Sequence, residues 1–250
     1  MRFDKAWIVA SKDIEEFKKN RYVLWSLVGM PIILALAPML SLLIPLLIAP
    51  ESASGSGILE LIALLSAFTL PLLIMIPAIT PSIIASYSFV GEKVNRSLEP
   101  LLATPTTDLE LLIGKGMAAF IPTMIGTYAA FLIDIVIIDL VTYPLLGFLL
   151  VPNPSWILGM LLLAPGFCIL SIEANVLVSS RMSDVRAAQQ VGGLIVMPLL
   201  VIYFGSLTNF FPLNTINMLI LSAIVLASAG ILGRFTKRIF DREEILTKWR

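Results

Sequence analysis

Three acids, and an amide beside one of them, stand inside long apolar runs, where polar groups are costly and therefore informative. Asp134 and Asp139 fall within 117–143, and Glu173 and Asn175 within 156–180. An acid at the centre of a membrane helix costs about 2.5–3.5 kcal/mol on insertion scales, so it faces a helix bundle or a hydrated path rather than lipid. Neither run contains a lysine or arginine to neutralise it. Asp134, Glu173 and Asn175 are therefore candidate residues of a translocation path, with hydrogen bonding between helices as the open structural alternative. Asp139 lies near the end of its run, within reach of water. Asp134 and Asp139 are five residues apart. On a helix that spacing turns them about 140° from each other, which does not suit a catalytic dyad.

Residue types exclude other chemistries. The chain has no histidine, so imidazole metal sites and catalysis by a histidine base are absent. Cys168 is the single cysteine, which excludes internal disulfides and thiolate clusters. Acidic and basic residues number 17 each, with no basic tract, and this argues against nucleic acid as a partner. The first apolar run opens only at Tyr22, behind a charged stretch too long for a secretory leader.

The elements that position these residues follow from composition. Of 250 residues, 58% are apolar or aromatic and 14% charged, with a mean hydropathy of +0.96. An ordinary soluble domain carries about a quarter charged residues, so the solvent of most of this chain is lipid. A membrane-crossing helix needs roughly 20 apolar residues. Six runs qualify, near 22–49, 61–90, 117–143, 156–180, 185–205 and 216–235. With six spans, both termini and the second and fourth loops share one side. That side holds every lysine and arginine: six before Tyr22, three in the second loop, two in the fourth and six at the C-terminal end. The positive-inside rule makes it the cytoplasm. The expected fold is an all-α membrane protein with six transmembrane helices, both termini cytoplasmic, and an N-terminal amphipathic interfacial helix. Residues 1–21 form that helix, 22–235 the transmembrane domain with inner loops 91–116 and 181–190, and 236–250 a helical cytoplasmic tail.

In the first segment Phe3, Trp7, Ala10, Ile14 and Phe17 recur at helical spacing, with Lys5, Lys12, Glu15, Glu16 and Lys19 largely elsewhere. Such a helix either lies at the headgroup boundary or packs on the chain's own bundle. The second loop reads GEKVNRSLEPLLATPTTDLELLIGKG. Pro100 and Pro105 disfavour helix just before them, and Leu98, Leu101 and Leu102 fit one short amphipathic turn between. Thr107 and Glu110 form a capping box with Asp108 in the first turn, so the third span starts near Asp108. A leucine cluster in a long charged loop points to contact with another protein. In the fourth loop Ser183 is the expected N-cap of the fifth span, with Asp184 in its first turn. Gln189 and Gln190 then sit at the inner boundary, either bonded to neighbouring helices or simply interfacial.

These loops carry a resemblance. Glu92-Lys93, Leu98-Glu99, Leu101-Leu102-Ala103-Thr104-Pro105, Glu110 and Gly114-Lys115, in that order, resemble the loop after the second span in permease subunits of type-2 ABC transporters. Ser180-Arg181, then Asp184 through Gln190, and Pro198 are similar to the entry of the fifth span in the same family. Ser97 stands where a glycine is frequent, and Pro100 follows the Leu-Glu pair unusually. The resemblance implies an ABC exporter subunit that forms the translocation path and is driven by two copies of a cytoplasmic ABC ATPase subunit. It implies a second permease, as a homodimer, in the lipid bilayer, with no cofactor and no nucleic acid. Leu98–Ala103 would be the coupling helix, with Glu92, Arg96, Leu98, Glu99, Leu101, Leu102, Thr104, Pro105 and Asp108 as contacts to the ATPase. No GxxxxGK[ST] loop is present, so no ATP chemistry of its own is expected.

Two other functions compete. A stand-alone secondary transporter or ion channel would use Asp134 and Glu173 to titrate or bind cations, although no inverted pair of broken spans is visible in the two halves. A membrane-embedded enzyme would need clustered catalytic groups; metalloprotease ligands are missing, and serine or aspartyl chemistry is left open by composition alone.

Overall fold

The computed structural model describes residues 3–48, 56–91, 107–182, 184–208 and 210–239. Among these residues the chain is all helical, without strands. α1 (Phe3–Lys19) is followed by α2 (Arg21–Ile48) and α3 (Ser56–Ser86), whose last turn widens into a π turn at Tyr87–Gly91. α4 (Asp108–Leu146) is the longest helix. α5 (Pro154–Leu158) passes through a π turn at Gly159–Leu163 into α6 (Ala164–Arg181). α7 (Val185–Gly192) passes through a 3-10 turn at Gly193–Ile195 into α8 (Val196–Leu207), and α9 (Thr215–Ile239) follows.

Five stretches are long and apolar enough to cross a membrane, and a sixth is reached if α1 and the first part of α2 count as one bent pair. The protein is therefore a multi-pass membrane protein. α1 and α2 meet at 88°. Asn20 fixes that bend: its Oδ1 accepts from the backbone N–H groups of Tyr22 at 2.9 Å and Val23 at 3.4 Å, which serves the orphan donors of α2.

Helix ends follow local chemistry. Thr107 and Glu110 make the expected capping box, with Glu110 N–H on Thr107 Oγ1 at 3.3 Å and Thr107 N–H on Glu110 Oε2 at 3.0 Å. The helix consequently starts at Asp108, and 108–116 is helix rather than loop. At its other end Gly147 adopts φ 74°, the left-handed cap that favours glycine. The cap of the fifth span is Asp184, not Ser183. Its Oδ1 accepts from Arg186 N–H at 2.7 Å and Ala187 N–H at 3.3 Å, and Ser183 lies outside the described residues. A carboxylate answers two N–H groups and the positive end of the helix dipole better than a hydroxyl.

The π turn before α6 is set by Pro165. Within it Ala164 N–H bonds Gly159 O. The next donor in that register would be Pro165, which has no N–H. Met160 O is left over and accepts from Tyr128 Oη of α4 at 3.3 Å.

α6 occupies the middle of the bundle, and its pairings fix the registers. Leu70 packs on Gly159, Ser82 bonds Ser171 and Ser86 bonds Asn175, all 89 residues apart. α3 and α5–α6 thus run parallel without slippage. Ser155 lies against Thr215, Gly166 against Leu226 and Glu173 against Gly233, each pair 60 apart. α5–α6 and α9 are therefore parallel as well. α4 runs the other way. Gly116 faces Ile172, Tyr128 faces Met160, and Phe131 stacks obliquely on Trp156. Parallel α3, α6 and α9 with antiparallel α4 is the arrangement that alternate crossings require.

Replacing Tyr128 with Phe leaves Met160 O without its donor. The expected loss is about 0.5–1.5 kcal/mol, read as a lower thermal midpoint of the purified protein. An unchanged midpoint would show that this carbonyl is satisfied in another way.

Candidate functional site

The most polar part of the interior is a layer where α1, the end of α3 and the start of α4 meet. Lys115 lies on the inward face of α4 between Leu111 and Ala118, and its side chain is fully buried. An ammonium has three donors and no acceptor. Here Nζ donates to Asp13 Oδ2 at 3.3 Å, Ser88 O at 3.1 Å and Ser88 Oγ at 2.9 Å. Ser88 Oγ in turn donates to Asp13 Oδ2 at 2.7 Å. Asp13 Oδ1 faces Lys12 Nζ at 3.8 Å. The ring of Phe89 lies 5.2 Å from the lysine nitrogen, a favourable cation–π position.

Ser88 O belongs to the π turn that ends the described part of α3. Lys115 therefore bonds the α3 backbone from another helix, with its charge in the C-terminal direction of α3, which the dipole favours for a cation. Asp13 supplies the counter-charge from α1. Phe17, one turn further along α1, makes an edge contact with Tyr87 at 6.4 Å. Gly114 allows the approach: a Cβ there would stand 2.7 Å from Ala6 O and 2.8 Å from Val9 Cβ.

α1 is thus packed on the bundle through Ala6, Val9, Ala10, Asp13 and Phe17, while Phe3, Trp7 and Ile8 stay exposed. The aromatic stripe read from the sequence is divided, with Phe17 inward and Phe3 and Trp7 outward. Small residues approach the α4 backbone closely, and the large ones remain for the surroundings.

The layer continues into α6. Asn175 is buried and its Oδ1 accepts from Ser86 Oγ at 2.6 Å. Its Nδ2 has no partner among the described residues and presses on Gly192, where a Cβ would collide with it. Ser171 donates to Ala78 O at 2.8 Å, which leaves Ser82 as the donor in the 3.0 Å Ser82–Ser171 pair. Glu173 is half-buried against Gly233, with Oε2 unpartnered among the described residues. Gln189 bonds to a neighbouring helix, accepting from Tyr22 Oη at 3.3 Å.

The three pathway candidates do not share one site. By the α4–α6 register Glu173 lies level with Lys115, whereas Asp134 lies level with Pro154. Nineteen residues of rise separate the levels, roughly 28 Å. Asp134 is fully buried, and neither of its carboxylate oxygens has a partner among the described residues. Asp139 is buried rather than in water, and its Oδ1 accepts from the backbone N–H groups of Leu150 at 2.9 Å and Val151 at 3.1 Å. It holds the α4–α5 connection. Among the described residues no three acids or thiols converge on a metal position.

Of the contacts assigned by resemblance, Glu92, Arg96, Leu98, Glu99, Leu101, Leu102, Thr104 and Pro105 lie outside the described residues. Asp108 is half-buried in the first turn of α4, beside the capping box. From the sequence alone Asp13 and Ser88 take no role, and Lys115 counts only as a positive charge of the second loop and as part of the Gly114-Lys115 pair. The signal was present: Asp13 falls in step with Ala6, Ala10 and Phe17, and Lys115 with Leu111 and Ala118. Opposite charges on two apolar stripes are a pairing signature. Comparison with models of known protein families and with curated proteins finds no match.

Lys115→Met alone would leave Asp13 buried with Lys12 as its cation at 3.8 Å and Ser88 as its hydroxyl donor. Breaking a buried pair costs about 3–5 kcal/mol, and the low end is expected here because Lys12 remains. Asp13→Asn combined with Lys115→Met should regain most of the loss. The readout is the thermal midpoint in detergent; a Lys115→Met protein as stable as the parent would exclude this cluster as the anchor of α1.

Proposed function

We propose that the chain is the membrane permease subunit of a type-2 ABC exporter. It has six spans with both ends in the cytoplasm and sits in the cell membrane. A separate ATPase engages the segment 92–106. The observation that carries this reading is the buried Asp13–Ser88–Lys115 cluster. The segment follows Gly91, three residues after Ser88, and precedes α4, whose Lys115 lies about two turns from its start, so the helices at both its roots are tied together and to α1. A force applied to Leu98, Leu101 and Leu102 moves α1, α3 and α4 as one body rather than bending a loop.

Sidedness supports the same reading. Every lysine and arginine falls on the face shared by α1, the segment 92–106, the α6–α7 turn and the C-terminal end. Fuel comes from outside the chain: Gly114-Lys115 is no phosphate loop, because Lys115 is enclosed and bonded to Asp13. Two permeases pair as a homodimer, with substrate passing between them, and each receives one ATPase subunit. Glu92, Arg96, Glu99, Thr104, Pro105 and Asp108 surround the leucines as contacts to it.

A stand-alone transporter is the second reading, favoured by both oxygens of Asp134 and Oε2 of Glu173, which have no partner among the described residues. Their separation across the bilayer weakens it as a single cation site. Solute flux from vesicles holding this chain alone, independent of nucleotide, would establish it over the first.

Two experiments test the proposal. Leu101→Asp with Leu102→Asp should leave membrane insertion intact and abolish co-purification with the ATPase; normal co-purification would refute the coupling role. In a Cys168→Ala background, Glu15→Cys should react with an impermeant maleimide only from the cytoplasmic side. Leu149→Cys should react only from the opposite side. Labelling of both from one side would overturn the topology.

A further inference from the structure

We infer that the elbow between α1 and α2 is a binding site for an anionic phospholipid of the leaflet on which α1 lies. Lys18 and Lys19 close α1, and Arg21 opens α2, all three exposed. The Tyr22–Gln189 bond at 3.3 Å brings this elbow against α7. Arg186 stands one turn before Gln189 on the same side of α7 and is exposed too. None of the four cations forms an ion pair with a described acid. Glu16 is engaged by Lys12 at 3.9 Å, and one carboxylate oxygen of Asp184 is turned to the N–H groups that open α7. Four cations at the ends of three helices, none held by an ion pair with a described acid although Glu15 lies one turn before Lys18 and Lys19, form a receptor for a phosphate diester.

The second half of the site is apolar. Below the elbow Tyr22, Trp25, Val28 and Ile32 follow one another along α2 at helical spacing, all exposed, with Trp25 at 75%. The Trp25 ring lies over Gly29, where a Cβ would stand 3.2 Å from it. The stripe therefore begins at the cations and runs away from α1 at nearly a right angle. A ligand that fills both halves has a negative head and an extended hydrocarbon tail. Tyrosine and tryptophan beside lysine and arginine are the side chains that headgroup level favours, and each basic residue near the surface adds to attraction for anionic lipid. A free phosphate would use only the cations. The segment 92–106 and the ATPase take no part, so this inference stands independently of the exporter reading.

The test uses the full chain purified in mild detergent and titrated with palmitoyl-oleoyl phosphatidylglycerol or the matching phosphatidylcholine, with retained lipid counted by native mass spectrometry. The parent protein should prefer the glycerol lipid. Lys18→Gln, Lys19→Gln and Arg21→Gln together should reduce that preference by about tenfold or more. Arg186→Gln alone should reduce it by a smaller factor. Trp25→Ala should weaken both lipids alike. As a charge control, Arg234→Gln with Lys237→Gln, exposed basic residues of α9, should leave the preference unchanged. Equal loss in that control, no preference in the parent, or displacement by soluble glycerol 3-phosphate as effective as by lipid would each overturn the site. Monodisperse elution of every variant separates lost binding from lost folding.

Discussion

An ammonium shut away from water must find all its acceptors in the protein, and Lys115 finds them on two other helices. That requirement organises the region around it. The carboxylate has to come from α1, so α1 cannot float free in the interface. The carbonyl comes from Ser88, so the π turn after α3 must lie beside the first turns of α4. Gly114 has to lack a side chain, or the α1 backbone would not come near enough for Asp13 to reach. Replacing such a cluster by apolar groups is often neutral or stabilising. Its value here lies in position: it fixes which three helix ends move together.

The remaining bundle is held by register more than by charge. α6 runs through the middle with constant offsets to α3 and α9. At each step one partner is small or hydroxylic: Gly159 under Leu70, Gly166 under Leu226, Gly233 under Glu173, and serines opposite Ser171 and Asn175. In lipid there is little hydrophobic drive to press helices together, so close backbone approach and hydroxyl bonds do the joining. Proline is accommodated in the same way. Tyr128 bonds to the carbonyl left over by Pro165, and Ser171 bonds to Ala78 O between Pro77 and Pro81.

Polar groups are sorted by depth. Lys115, Asp13, Ser86 and Asn175 lie at one end of the spans, level with the exposed cations of the α1–α2 elbow. Asp139 serves a turn at the other end, with Asp134 one and a half turns below. The middle of the bilayer is left to serines, threonines and hydrocarbon. That distribution keeps charge near the interfaces, where it is cheapest.

What the sequence determined by itself was set by periodicity and end chemistry. Apolar runs of about 20 residues anticipated the five stretches long enough to cross a membrane, and the one-sided lysines and arginines gave their expected orientation. Thr107 and Glu110 gave the start of α4 to the residue, because a capping box is complete within four positions. Where two local solutions competed, as with Ser183 and Asp184, the carboxylate prevailed through its stronger bonds to N–H groups. Only the tertiary structure decided what crosses between helices. It showed that Asp13 and Lys115, 102 residues apart, are partners, that Asp139 serves a turn, and that Asp134 and Glu173 sit at opposite ends. Spacing along a chain fixes which face a side chain shares, but not which helix meets that face; that is chosen by glycines, kinks and registers acting together.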